Sequence, residues 1–426
     1  MRLDRRTLLQ AAAGVAAALA LPRAVGATGG IIESDADAAQ LGATPPPVTT
    51  RPLPGDTIRV LLLRGRPAVR ITAAGGFAVF DGPSGGENPI LRAQPGQSRS
   101  IDATALAHGS GGAVVEPVGD APLQLDGRSY RGRLLLFPDG GGMMAVNQLP
   151  IELYVLGVLG REVSPKWPAA VLQAHAIVSR SYALGRRKDA AHAFDVSATT
   201  ADQVYGGVAA ESAAGNDAVY QTRGQLLWYG GGVASAFFSS CCGGHTESAG
   251  ALWGRDIPYL GGVADPYCAG SPHYRWRSYV SEETLRARLS SEVAALGEIA
   301  ALEPLDVDNS GRARQVAVQG QDGRREIEAK AFRERLGSNV VRSTLLHRMQ
   351  IANSPEQLQP DPAFDDPSPV APPPPPQGGP LAMIEGAGWG HGVGLCQWGA
   401  RGMALRGASA TQILAFYFPG TAVVAR

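Results

Sequence analysis

Glycine and proline interrupt this chain too often for a fold of long helices. There are 55 Gly and 32 Pro among 426 residues, and both residues break helix interiors while favouring tight turns. An all-helical bundle is therefore excluded, and short strands joined by turns are expected to predominate. Apolar residues make up 44% of the chain, enough to pack a core, and charged residues at 18% are too few for a largely unfolded polypeptide. Lys plus Arg and Asp plus Glu both number 38, so the composition carries no electrostatic footprint for nucleic acid.

Residues 1–27 read as an export signal, with Arg2, Arg5 and Arg6, the apolar run Leu8 to Leu21, and small residues up to Ala27. Arg5-Arg6-Thr7-Leu8-Leu9 resembles a twin-arginine signal, an ordinary secretory signal being the alternative; both place the protein in the periplasm or cell-wall space. No segment after it approaches about 18 consecutive apolar residues, so no transmembrane anchor is expected once the signal is removed. Residues 28–55, with Pro45-Pro46-Pro47, read as a flexible tether. Residues 56–426 are expected to form one domain carrying a disordered Pro-rich insertion at 354–380, with the tail after it packed back on the main body.

Within that domain, Ile58 to Leu63, Ala78 to Phe80 and Leu134 to Phe137 are apolar runs bounded by Gly, Pro or Asp, a strand pattern. Pro150 and Pro168 each suit a first helical position, and apolar residues recur at helical spacing after both. Two helices are thus predicted on either side of the loop Arg161 to Trp167. Strands return at Gln225 to Tyr229, Val233 to Ser239 and Gln315 to Gln319, with a helix at Glu282 to Ala295. The class expected is α+β, β-rich, with a helix-loop-helix beside a substrate cleft.

The tail holds Gly386-Ala387-Gly388-Trp389-Gly390-His391-Gly392-Val393-Gly394-Leu395-Cys396-Gln397-Trp398-Gly399-Ala400. It is no phosphate loop, since no Lys followed by Ser or Thr ends it. This segment resembles the C-terminal signature of the SpoIID/LytB family, the stage II sporulation protein D and amidase-enhancer proteins. Asn147 to Tyr154, Arg161 to Pro168, Gln173 to Tyr182, Asp202 to Gly207, Asp256 to Leu260 and Asp265 to Cys268 are similar to further family blocks, in the same order.

The resemblance implies a peptidoglycan lytic transglycosylase that cuts glycan strands lacking stem peptides. Its catalytic acid falls on Glu162, and the residues agree: a carboxyl sheltered between apolar helices can keep its proton near neutral pH. A helix-capping or salt-bridging glutamate is the alternative. The resemblance also implies substrate contacts for Arg180, Gln203, Tyr205 and His391, although Arg180 could pack in the helix core and His391 could fix the glycine-rich turn. His175 is read as a core or cleft-wall residue. The enhancer reading, a non-catalytic peptidoglycan binder that stimulates a cell-wall amidase, stays open.

The four cysteines, Cys241, Cys242, Cys268 and Cys396, suit disulfides in an oxidising compartment. A Cys242–Cys268 disulfide is expected, because the neighbours Cys241 and Cys242 rarely bond each other. The resemblance leaves zinc at Cys242, His245 and Cys268 as the alternative; no other cofactor is expected.

Overall fold

A computed structural model describes residues 57–82, 88–108, 111–364, 374–376 and 378–426. The expected signal and tether, and residues 365–373 and 377 of the expected insertion, lie outside the described residues. Among the described residues no helix is long and apolar enough to cross a membrane. The architecture is α+β, as the glycine and proline content predicts. The base of the main lobe is a seven-stranded sheet with Thr57–Arg66, Gly142–Pro150 and Arg133–Asp139 paired antiparallel near its centre. A four-stranded sheet built on Ala68–Ala73 accompanies it.

The strand Gly142–Pro150 runs straight into the helix Ile151–Glu162, followed after a short turn by the long helix Ala169–Gly185. Both prolines sit one position earlier than predicted, as N-caps with extended backbone. The Pro168 carbonyl still accepts the first helical bond, from Val171 N–H at 2.9 Å. Small residues bring the helices close to their surroundings. A Cβ at Gly160 would stand 2.2 Å from the Ala210 carbonyl oxygen, and one at Gly157 2.3 Å from the Tyr205 ring.

A second lobe has its own apolar core, with Trp276, Leu285, Leu289, Val316, Phe332 and Ile384 among its members. It comprises the meander Ile299–Val307, Ala313–Gly320, Gly323–Glu328, two helices, and a sheet in which Leu381–Ala387 lies between Arg275–Ser281 and Leu346–Ala352. Within the expected insertion, residues 354–364 form two short 3-10 turns, and the Arg277 guanidinium donates to the Asp361 carbonyl at 3.0 Å. After Ala387 the chain returns to the main lobe. Leu395–Cys396 pairs in parallel with Phe238–Ser239, the helices Gln397–Ala404 and Ala410–Tyr417 follow, and Ala422–Ala425 pairs with Gln225–Tyr229.

Candidate functional site

A cleft of about 580 Å³ opens between the lobes, and Glu162 lines it. Glu162 is the last helical residue rather than a loop residue, and Val163 ends the helix in extended backbone. Its side chain is wedged into the fold with only 4% exposure. Burial raises the carboxyl from an ordinary 4.5 to about 7, against the opposing pull of a hydrogen bond from Val204 N–H to Oε1 at 2.7 Å and of the Gln397 side chain. Desolvation prevails because one backbone donor and one amide cannot replace the hydration an ionised carboxylate loses.

The segment Asp202 to Tyr205 aims that N–H. Asp202 and Val204 line the cleft, while Gln203 and Tyr205 point into the core. Asp202 accepts from Tyr182 OH at 2.9 Å and from Ser197 N–H at 2.8 Å. Gln203 Oε1 accepts from Tyr154 OH at 3.1 Å, and Tyr205 OH donates to Asn147 Oδ1 at 2.8 Å. The Tyr205 ring stacks between Tyr154 and Tyr130. Gln203 and Tyr205, expected as cleft residues, are therefore buried pins that hold Val204 and Asp202 at the cleft.

Arg180 is also withdrawn from the cleft. It is 1% exposed, pairs with both Glu152 oxygens at 3.0 and 2.7 Å, and donates to the Gln225 carbonyl at 3.0 Å. A guanidinium so fully engaged ties the long helix to the helix before it and to the strand Gln225–Tyr229, and has no fork left for a sugar. Trp167 packs edge-on against Trp398, with the Arg401 guanidinium over both rings.

The tail supplies the opposite side. Gln397 Nε2 donates to the Glu162 backbone carbonyl at 3.0 Å and lies 3.0 Å from His175 Nε2. His175 Nδ1 is 3.1 Å from Ser179 Oγ, and complete burial lowers its imidazole to about 3. It is a neutral core group, the first of the two places, core or cleft wall, that the sequence leaves open. His391 does line the cleft. Its Nδ1 accepts from Val393 N–H at 3.0 Å, leaving the proton of the neutral ring on Nε2. Burial, with Arg333 and Arg312 nearby, holds it down to about 4. Gly394, at φ 78°, allows this loop to meet the wall; a Cβ there would stand 2.2 Å from the Phe237 carbonyl oxygen.

Sequence reasoning missed much of the remaining lining, including Tyr182, Arg186, Trp253, Trp389 and Arg333. Aromatic faces suit the apolar faces of sugar rings, and the two guanidiniums suit anionic or hydroxyl oxygens. Trp389 lies within the glycine-rich motif of the tail; Arg333, in the second lobe, has no sequence signal at all. Glu247 is another carboxyl raised to about 7, by burial and the nearby Asp308. It lines a separate cavity of about 780 Å³ with Asp256, Asp308 and Ser310, where no Trp, Tyr or Phe side chain offers a sugar platform.

The cysteines are free thiols here. Cys242 and Cys268 sulfurs are 3.6 Å apart, which is not the roughly 2.05 Å of the expected disulfide. His245 turns its Nδ1 to the Thr246 carbonyl at 2.7 Å and is not among the clustered donors. The donors that do converge are Cys242, Cys268, Cys396 and Asp265, a sulfur-rich set of the kind zinc prefers.

The family model of stage II sporulation protein, SpoIID, matches residues 139–229, a stretch that contains Glu162 and the Val204 turn. An uncharacterized protein of Brachyspira hyodysenteriae is 34% identical over 302 residues, 70% of this chain and 73% of that one. The amidase enhancer of Bacillus subtilis is 27% identical over 313 residues, 62% of this chain but 39% of the longer relative. Stage II sporulation protein D of Bacillus subtilis is 26% identical over 298 residues, covering 66% and 76%.

Proposed function

The chain belongs to the SpoIID/LytB family, and on that premise we propose that it is an exported lytic transglycosylase cutting the MurNAc–GlcNAc backbone of denuded peptidoglycan strands. The observation that carries this reading is Glu162: a carboxyl with 4% exposure, on the wall of a cleft of about 580 Å³, holding its proton up to about 7. As the C1–O4 glycosidic bond breaks, Glu162 gives its proton to the departing O4. The resulting carboxylate then takes the proton of the C6 hydroxyl while O6 bonds to C1, closing a 1,6-anhydro ring. Glu162 is reprotonated by the second transfer, so no second carboxylate and no water enter the reaction.

Val204 N–H stabilises the carboxylate between the two transfers without so many donors that the proton is lost in the resting state. His391, neutral at working pH and tied to the Phe238 backbone, is a fixed part of the cleft wall, and the aromatic lining holds ring faces. The test is incubation of the purified chain with denuded glycan strands and mass spectrometry of the ends. Anhydro ends from the wild type, absent with Glu162→Gln, are expected. A folded Glu162→Gln that still cuts, or ordinary reducing ends only, overturns the reading.

The relative named amidase enhancer supports a second reading, a glycan binder that stimulates a cell-wall amidase. In that case no ends form, and Glu162→Gln stimulates the amidase as well as the wild type does.

A further inference from the structure

We propose that Cys242, Cys268, Cys396 and Asp265 together hold one tetrahedral zinc ion that staples the cleft wall to the tail. The four donor atoms lie within 4.8 Å of one another and all four residues are buried. Zinc with sulfur ligands at about 2.3 Å sets a tetrahedron whose sulfur–sulfur edges are about 3.8 Å. Cys242 and Cys268 sulfurs are 3.6 Å apart, and Asp265 Oδ2 is 3.1 Å from Cys242 Sγ.

The surroundings are built as supports for such ligands. Cys396 Sγ accepts the backbone N–H groups of Cys242 at 3.2 Å and Gly399 at 3.3 Å. Asp265 Oδ1 accepts Tyr267 N–H and Oδ2 accepts Tyr417 OH, both at 2.9 Å. Apart from the Cys242 thiol, these are the donors among the described residues that reach the Asp265 carboxylate, and all are neutral. A buried carboxylate without a cation is costly, and a divalent ion at the centre of the four donors removes that cost.

The set differs from the one the family resemblance implied, with Asp265 and Cys396 present and His245 absent. It also joins three distant pieces of chain. Cys242 follows the wall residues Phe238 to Ser240, Asp265 and Cys268 come from one loop, and Cys396 precedes Gln397, the side chain that bonds the Glu162 carbonyl. The ion's role is to hold that geometry.

The test uses the full chain. Elemental analysis after purification with zinc should give one equivalent, and exchange for cobalt should give thiolate-to-cobalt charge-transfer absorption in the near ultraviolet. Cys396→Ser and Asp265→Asn should lose zinc to a chelator that the wild type withstands. Tyr417→Phe should bind about 10-fold more weakly or worse, and His245→Ala should keep its equivalent. A metal-free wild type after zinc exposure, an isolated Cys242–Cys268 disulfide, cobalt bound without charge-transfer absorption, or zinc lost by His245→Ala and kept by Cys396→Ser each overturns the proposal. The wild-type cobalt spectrum decides it even where a variant does not fold.

Discussion

Replacing Glu162 with Gln should make this protein more stable, and only on the alkaline side. The carboxyl has an ordinary value of 4.5 in the unfolded chain and about 7 in the folded one. A raised folded value means that the protonated form fits the fold: its full stability is present below 4.5 and is lost as pH rises through 7. Each tenfold change in proton affinity is worth about 1.4 kcal/mol, so the interval corresponds to a penalty of about 3 kcal/mol above neutrality. The substituted carboxamide cannot ionise, yet its oxygen can still accept Val204 N–H. Urea unfolding of both proteins at about pH 4 and about pH 8 measures the effect as a difference between two differences. The variant should match the wild type within about 1 kcal/mol in acid and exceed it by about 3 kcal/mol in alkali. An equal gap at both pH values refutes the argument, because it means that the folded carboxyl ionises as freely as the unfolded one.

The same ionisation governs chemistry, so glycan cleavage by the wild type should fall as pH rises past about 7, with no histidine limb between neutrality and His391's value of about 4; a pH–rate profile checks both. Arg180→Ala strips the partner from Glu152 and should destabilise the fold by about 3–5 kcal/mol in urea. Gly157→Ala drives a methyl into the Tyr205 ring and should cost about 1–3 kcal/mol, with cleavage reduced because Val204 moves with Tyr205. Tyr205→Phe leaves Asn147 Oδ1 without that donor and should cost about 1–2 kcal/mol by thermal unfolding.

Local rules make the scaffold of the site legible. Pro150 and Pro168 mark both helix starts to within one residue, and the apolar runs after them predict helices that the structure contains. Glu162 stands out because a carboxyl between apolar helices has few routes to water. Gln203, Tyr205 and Arg180 fall on the other side of the wall from the one expected, for one physical reason: residue type indicates which bonds a side chain can make, but not which face of the backbone it leaves from. In the segment Asp202 to Tyr205 the faces alternate, so the cleft receives Asp202 and Val204. The second lobe is hidden from a local reading because Leu381–Ala387, the middle strand of its sheet, comes after the Pro-rich stretch. Arg333 reaches the cleft from that lobe, and the clustering of Asp265 with Cys396 depends on pairings that no local pattern encodes.

The bond from Gln397 to the Glu162 carbonyl spans 235 positions of sequence. During synthesis, a chain that has emerged only as far as the second lobe already carries the acid but neither the amide that clasps it nor the Trp389–His391 wall. Closing so long a loop costs more entropy than the local contacts of the first sheet. An unfinished or prematurely terminated polypeptide therefore lacks the tail side of the cleft even where its first sheet is complete, and the surroundings of Glu162 are assembled only once the final stretch of chain is in place.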